Sequence, residues 1–320
     1  MTIRFVWRSD AHLADKPPRS RIDDWASTVL DKLIQVGEIA REVNADAVLD
    51  GGDLFHIKSP SRNTHELVRR VTEVHASCPC PVYLTPGNHD LKYGSLEHLH
   101  ETPLGVMFEA GTIRPLYDGH ELVLGNVRVV GVPYHGPDYD TNRFTTITKG
   151  DEDWLIVVAH CLASPDGGTL FDKEDVLAYP ALANLDPDIW LFSHWHKDQG
   201  IQEIAKGKWA VNLGSLSRGA LIQDDLDRTP SCAVLTFTKH GEVDIERRPL
   251  KVQPSEEIFN LEGAERAKKR TMSVDAFATS LKETLVTRTE GSLLDAARQA
   301  DAPDVVRERA IAYLEQAGAK

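Results

Sequence analysis

Along the first 250 residues, short apolar runs alternate with amphipathic stretches. The runs at Ile3 to Trp7, Ala47 to Leu49, Val82 to Leu84, Leu155 to Ala159 and Ile189 to Phe192 read as buried strands. Between the first two, Trp25, Val29, Leu33, Val36 and Ile39 recur at helical spacing, which predicts a helix over Ile22 to Val43 with Asn44 as its stop. A second helix is predicted over Thr64 to Ala76. Strands alternating with helices imply an α/β layered core, with ligand groups gathered at strand ends. After Asp118-Gly119 the rhythm becomes hairpin-like, with Glu121 to Leu124 and Val127 to Val132 flanking Gly125-Asn126. Trp209 to Leu213, Ala233 to Phe237 and Glu242 to Arg248 predict later strands.

From about Ser255 onward the strand signals stop. The spacing of Phe277, Leu281 and Leu285, then of Val306, Ala310, Ile311 and Leu314, is helical. The chain therefore divides into a core over residues 1–250 and a small helical C-terminal segment over 251–320, a cap, a dimer surface or a dock for a partner. Its 320 residues and 41% hydrophobic content are enough for a sizeable core. Arg4 and Arg8 interrupt the N-terminal apolar run, so neither a signal peptide nor a membrane span is expected, and the expected location is cytoplasmic. Four cysteines are few for this length, and Cys78-Pro-Cys80 is too tight for an ordinary disulfide or a zinc ribbon, so reduced thiols are expected. The net charge of -13 argues against holding nucleic acid by a broad basic surface. It leaves room for a locally positive channel, because acids beside bound cations reverse the local field.

Five separated segments end apolar runs with residue types that bind metals. They are Ser9-Asp10-Ala11-His12, Gly51-Gly52-Asp53, Gly87-Asn88-His89-Asp90, Ala159-His160 and Ser193-His194-Trp195-His196. An Asp and a His two apart at a strand end can turn into one pocket, since the pleat puts alternate side chains on one side, and the same holds for His194 and His196. Mixed carboxylate, amide and imidazole donors suit manganese or iron and accept zinc. Each segment alone has a plain reading as packing or capping residues. The force comes from the ordered set, above all from Gly-Asn-His-Asp, where Asn is a rare metal ligand and Gly87 allows a tight turn.

The ordered motifs over residues 3 to 218 resemble the calcineurin-like metallophosphoesterase superfamily, and the fuller wording resembles its SbcD-like double-strand-break repair nuclease branch. The resemblance implies a layered β-sandwich flanked by helices and two divalent metal ions, manganese first, with iron, magnesium or zinc as other candidates. It implies that Asp10, His12 and His196 hold one ion, that Asn88, His160 and His194 hold the other, and that Asp53 bridges both. A metal-bridging hydroxide would then attack phosphorus in line, with His89 as the catalytic histidine beside the pair. Asp90 either orients His89 or caps the turn.

Gly51-Gly52-Asp53-Leu54-Phe55-His56 is similar to the nuclease branch, where a histidine three residues beyond the bridging Asp contacts the scissile region. His56 is thus a second candidate catalytic residue, its plain alternative being a packing histidine. Gly131-Val132-Pro133-Tyr134-His135 and Asn212 to Arg218 also resemble that branch; the latter is either a phosphate-binding turn with Arg218 as charged partner or a surface turn. Ser193 stands where the superfamily usually has Gly, and Ala14 where a Gly often follows the first motif. The resemblance further implies DNA as substrate, an SbcC-like coiled-coil ATPase partner and a homodimer, since this chain has no ATP-binding Gly-rich loop of its own. Arg266, Lys268, Lys269 and Arg270 form the densest basic cluster, either a solvated helix face or a DNA contact. Two other functions fit less of the pattern: a small-molecule (cyclic nucleotide) phosphodiesterase or phosphatase on the same metal centre, and a non-enzymatic scaffold, for which seven converging ligands serve no purpose.

Overall fold

A computed structural model describes residues 2–56, 63–138, 142–168, 174–263, 293–300 and 302–316. Two six-stranded sheets dominate it. The first runs in the order β14 (Val243–Pro249), β13 (Ser231–Phe237), β1 (Ile3–Arg8), β2 (Ala47–Asp50), β3 (Val82–Leu84), β4 (Arg114–Pro115). The second runs β11 (Asp198–Ala205), β12 (Lys208–Leu213), β10 (Ile189–Ser193), β7 (Trp154–His160), β6 (Val127–Val132), β5 (Leu122–Leu124). A small two-stranded sheet pairs β8 (Ala163–Ser164) with β9 (Leu177–Ala178).

Alternation along the strands builds three apolar layers. Phe5, Trp7, Ala47 and Leu49 of the first sheet pack against Val129, Ile156, Val158, Ile189 and Leu191 of the second. The opposite faces are also buried: Val6 and Val48 meet Val29, Leu33 and Val36 of α1 (Trp25–Glu42) and Leu67 and Val71 of α2 (His65–Ala76). Trp190 and Phe192 pack with Phe144, Tyr179 and Leu182 on the far side. The layered β-sandwich flanked by helices is therefore what the family resemblance implied, and its α/β layering is what the strand and helix spacing predicted. Helix α1 starts later than Ile22, because Asp24 caps it by accepting the Ser27 N–H at 3.1 Å, and Ile22 lies outside it and exposed. Two features carried no readable pattern. Strand β11, Asp-Gln-Gly-Ile-Gln-Glu-Ile-Ala, lies at a sheet edge and buries neither face fully, so it shows no alternation. The helix Pro103–Glu109 is short, and its cap, Thr102 accepting the Gly105 N–H at 3.2 Å, falls in a stretch without periodicity.

The chain forms two compact units, Met1–Ile258 and Phe259–Lys320. The first runs past residue 250 because Arg218 ties the following segment down, donating to Gln253 O at 2.6 Å and Ser255 Oγ at 3.1 Å. In the second, helices Leu293–Gln299 and Asp304–Gln316 pack Ala297 and Ala300 with Val306, Ala310, Ile311 and Leu314. The predicted helix around Phe277, Leu281 and Leu285 and the cluster Arg266, Lys268, Lys269 and Arg270 lie outside the described residues. All four cysteines are free thiols, Cys161 and Cys232 buried, Cys78 and Cys80 partly so. Among the described residues no helix is long and apolar enough to cross a membrane.

Candidate metal centre

Strands β1, β2 and β3 run parallel, as do β6, β7, β10 and β12, so the carboxyl ends within each set point one way. The five segments follow those ends: Asp10 and His12 after β1, Asp53 after β2, Asn88 and His89 after β3, His160 closing β7, and His194 and His196 after β10. Backbone bonds lace the segments together: Asp10 donates to Gly52 O at 3.0 Å, His12 to Asp53 O at 2.8 Å, and Leu216 to Ser9 O at 2.9 Å. Asp10, His12, Asp53 and His194 all sit at positive φ, between +50° and +80°. Such conformations cost of order 1–3 kcal/mol each and persist where surroundings enforce them, as at ligand sites.

Two glycines make the approach possible. A Cβ on Gly87 would lie 2.1 Å from Asp53 Oδ1 and 2.4 Å from His160 Cε1, and one on Gly51 would lie 2.7 Å from Ser193. Ser193, where a glycine was the family expectation, is fully buried, and its hydroxyl donates to Gly51 O at 2.6 Å and lies 3.2 Å from His160 Nδ1. The departure thus stiffens the seam between the sheets. Ala14 is buried in the layer under α1.

The candidate donors converge in three groups, the first and third sharing His12: Asp10, His12 and His196; Asp53, His160 and His194; and His12, His56 and His89. Asp53 Oδ2 lies 3.6 Å from His12 Nε2 and 3.5 Å from His160 Nε2, between the first two groups. His160 gives its Nδ1 proton to Gly51 O at 2.7 Å, which leaves Nε2 facing Asn88 Oδ1 at 3.2 Å. Lone pairs of an imidazole, an amide and a carboxylate cannot face one another across such gaps without a positive charge among them. A proton answers that need at one nitrogen: burial opposes charging His160, but the Asp53 carboxylate outweighs it and lifts the imidazole to about 9. A cation answers it for the whole donor set, and the residues therefore fit metal binding. Burial, followed by the neighbouring His196, holds His12 well below the ordinary histidine range, neutral as a ligand must be.

Around the donors, His89 gives its backbone N–H to Asp53 Oδ1 at 2.8 Å, while its Nδ1 donates to His56 O at 2.7 Å. The rings of His56 and His89 stack at 4.9 Å, and His12 meets His89 edge-on at 4.8 Å. Asp90 accepts the backbone N–H groups of Asp53 at 2.7 Å and Gly87 at 3.0 Å, which resolves its two readings in favour of the turn cap. Arg218 is buried and bonded toward residues 253–255, neither a surface turn residue nor a phosphate ligand. Sequence reasoning missed Glu174, whose Oε1 lies 2.9 Å from His194 Nε2, because no periodicity or motif surrounds it. It also missed the brace beneath the site: buried Arg8 donates to Asp50 Oδ2 at 2.8 Å, and Asp50 Oδ1 takes the Gly52 N–H at 3.0 Å, one residue before Asp53.

A family model described as calcineurin-like phosphoesterase matches residues 3–198. The DNA double-strand break repair protein Mre11 of Haloferax volcanii is 28% identical over 289 residues, 85% of this chain and 58% of that protein. The chain thus spans little more than half the length of that relative. Among solved structures, a dimetal phosphatase from Danio rerio aligns over 77% of this chain and 96% of its own with 13% identity and a TM-score of 0.51. A purple acid phosphatase, PPD1, from yellow lupin (Lupinus luteus) seeds aligns over 78% of this chain and 52% of its own with 16% identity and a TM-score of 0.51. At such identities these two likenesses speak for the fold alone.

Proposed function

The chain belongs to the calcineurin-like phosphoesterase family, and on that footing we propose that it is a nuclease that hydrolyses phosphodiester bonds of DNA with two divalent cations, manganese foremost. In this reading Asp10, His12 and His196 serve one ion, Asn88, His160 and His194 the other, and Asp53 both. The observation that carries it is the single Asp53 oxygen 3.6 Å from His12 Nε2 and 3.5 Å from His160 Nε2. When bound, two such cations neutralise phosphate charge and acidify water into a nucleophile at neutral pH.

The remaining work falls to the chain's own groups. His89 has committed Nδ1 to the His56 carbonyl, so Nε2 is the nitrogen left to meet a phosphoryl or departing oxygen. A proton delivered there is worth roughly 100- to 10,000-fold in rate. His56, stacked on that ring, holds its plane and adds a second imidazole beside it. The cleft, about 500 Å³, is lined in part by Trp195, Ile222 and Lys197, apolar surface for a base and a cation for a phosphate. DNA as the substrate is supported by the 28% identity to a protein named for DNA double-strand break repair. The reading includes an SbcC-like ATPase partner, a homodimer and a cytoplasmic location. A small-molecule phosphodiesterase or phosphatase is the second reading, favoured by the net charge of -13.

End-labelled double- and single-stranded DNA incubated with manganese and the wild type, His89→Ala and Asp53→Ala tests the proposal. Degradation by the wild type, with His89→Ala reduced about 100-fold or more, is the expected result. Intact DNA in every lane, together with turnover of a cyclic nucleotide by the same metal-loaded protein, refutes the nuclease and leaves the second reading.

A further inference from the structure

We propose that Glu174 is a positioning residue for the metal centre: it takes the Nε2 proton of His194 and so fixes Nδ1 as the nitrogen that faces the ion. The proposal rests on the metal-centre part of the reading above. A carboxylate is an acceptor only, and a neutral imidazole carries one N–H. The 2.9 Å approach of Glu174 Oε1 to His194 Nε2 therefore puts the proton on Nε2 and the lone pair on Nδ1. The rest of His194 is already constrained. Its φ is +80°, its backbone N–H is shared between the two oxygens of Asp10 at 3.2 and 3.3 Å, and the Tyr134 and His160 rings lie 5.3 and 5.0 Å away.

Among the described residues Glu174 belongs to none of the converging donor groups, and it meets the donor set at His194, which is the role proposed for it. It also differs in kind from the support given to His160, whose Nδ1 proton goes to a backbone carbonyl of the sheet seam, Gly51 O. That carbonyl is fixed by the fold, whereas Glu174 enters from the segment between β8 and β9, away from the strands that carry the donors. Its hydrogen bond fixes the tautomer and orientation of the His194 ring, and loss of such outer partners typically weakens metal affinity 10- to 100-fold.

Manganese binding to the full chain, measured by equilibrium dialysis and calorimetry for the wild type, Glu174→Gln and Glu174→Ala, with the Tm of each metal-free protein, tests the assignment. The wild type binds two equivalents. Glu174→Ala is expected to weaken one of them about 10- to 100-fold, leaving the other and the Tm unchanged. Glu174→Gln, whose amide oxygen still accepts the Nε2 proton, recovers most of the loss. Wild-type binding of both equivalents by Glu174→Ala overturns the positioning role and leaves the metal centre standing. A Tm that falls along with both equivalents makes Glu174 a structural residue and overturns it as well. A wild type that binds no manganese overturns the metal centre itself and this inference with it.

Discussion

Arg8→Met removes the cation under the site and leaves Asp50 buried without its partner. Arg8 and Asp50 are 3% and 2% exposed and joined at 2.8 Å. Breaking such a pair from one side typically costs about 3–5 kcal/mol, because the remaining charge stays desolvated. His75 adds to the loss: its Nδ1 donates to Val71 O at 2.8 Å, and its Nε2 loses the Arg8 guanidinium 2.7 Å away. The pH dependence identifies the cause. Burial raises the Asp50 carboxyl above its ordinary value, and Arg8 partly offsets this; without Arg8 it rises further. A carboxyl whose pKa is higher folded than unfolded favours folding as pH falls, since the folded state takes up the proton first. Urea unfolding should therefore show a gap between wild type and Arg8→Met of about 3–5 kcal/mol at pH 8 that narrows toward pH 5. Adding Asp50→Asn, which keeps an acceptor for the Gly52 N–H, should restore much of it. A gap under about 1 kcal/mol, or one that widens on acidification, refutes the reasoning.

Gly87→Ala forces a Cβ to within 2.1 Å of Asp53 Oδ1 and 2.4 Å of His160 Cε1; dialysis should show manganese affinity down at least about tenfold, with stability lowered by about 1–3 kcal/mol. Lys32→Met should stabilise the protein, because Lys32 is 2% exposed, and burial plus the guanidinium groups of Arg21, Arg218 and Arg228 lower its amine from 10.5 to about 7. Between those values the unfolded chain holds a proton that the folded chain releases, so wild-type stability climbs with pH. The advantage of Lys32→Met, read from urea melts, should be about 5 kcal/mol at pH 6 and shrink to about 2 kcal/mol at pH 9; a gap independent of pH would refute it.

The strands that build the sandwich were legible because both their faces are largely buried, so β2, β7 and β10 read as nearly continuous apolar runs and β1 as one broken only by Arg4 before its closing Arg8. The edge strand β11 was not, since each of its residues is only partly covered and no period survives. The candidate donors were legible because the proposed chemistry needs particular residue types at strand ends, and Asp10, His12 and Asn88 hold those places in short motifs. Nothing in the sequence marked Glu174, Arg8 or Asp50 as their support. Any carboxylate within reach of His194 would serve the first role, and any buried cation beside Asp50 the second.

By itself, then, the sequence determined the alternation of strands and helices and the order of the candidate metal-binding segments, because periodicity and residue type are local properties. Tertiary structure alone decided that Asp53 faces two donor groups at once, that Asp90 caps a turn rather than touching His89, that Arg218 turns inward, and that Glu174 meets His194. Each of those depends on where two segments far apart in the chain come to rest, and the parallel pairing of β1 with β2 and of β7 with β10 sets that.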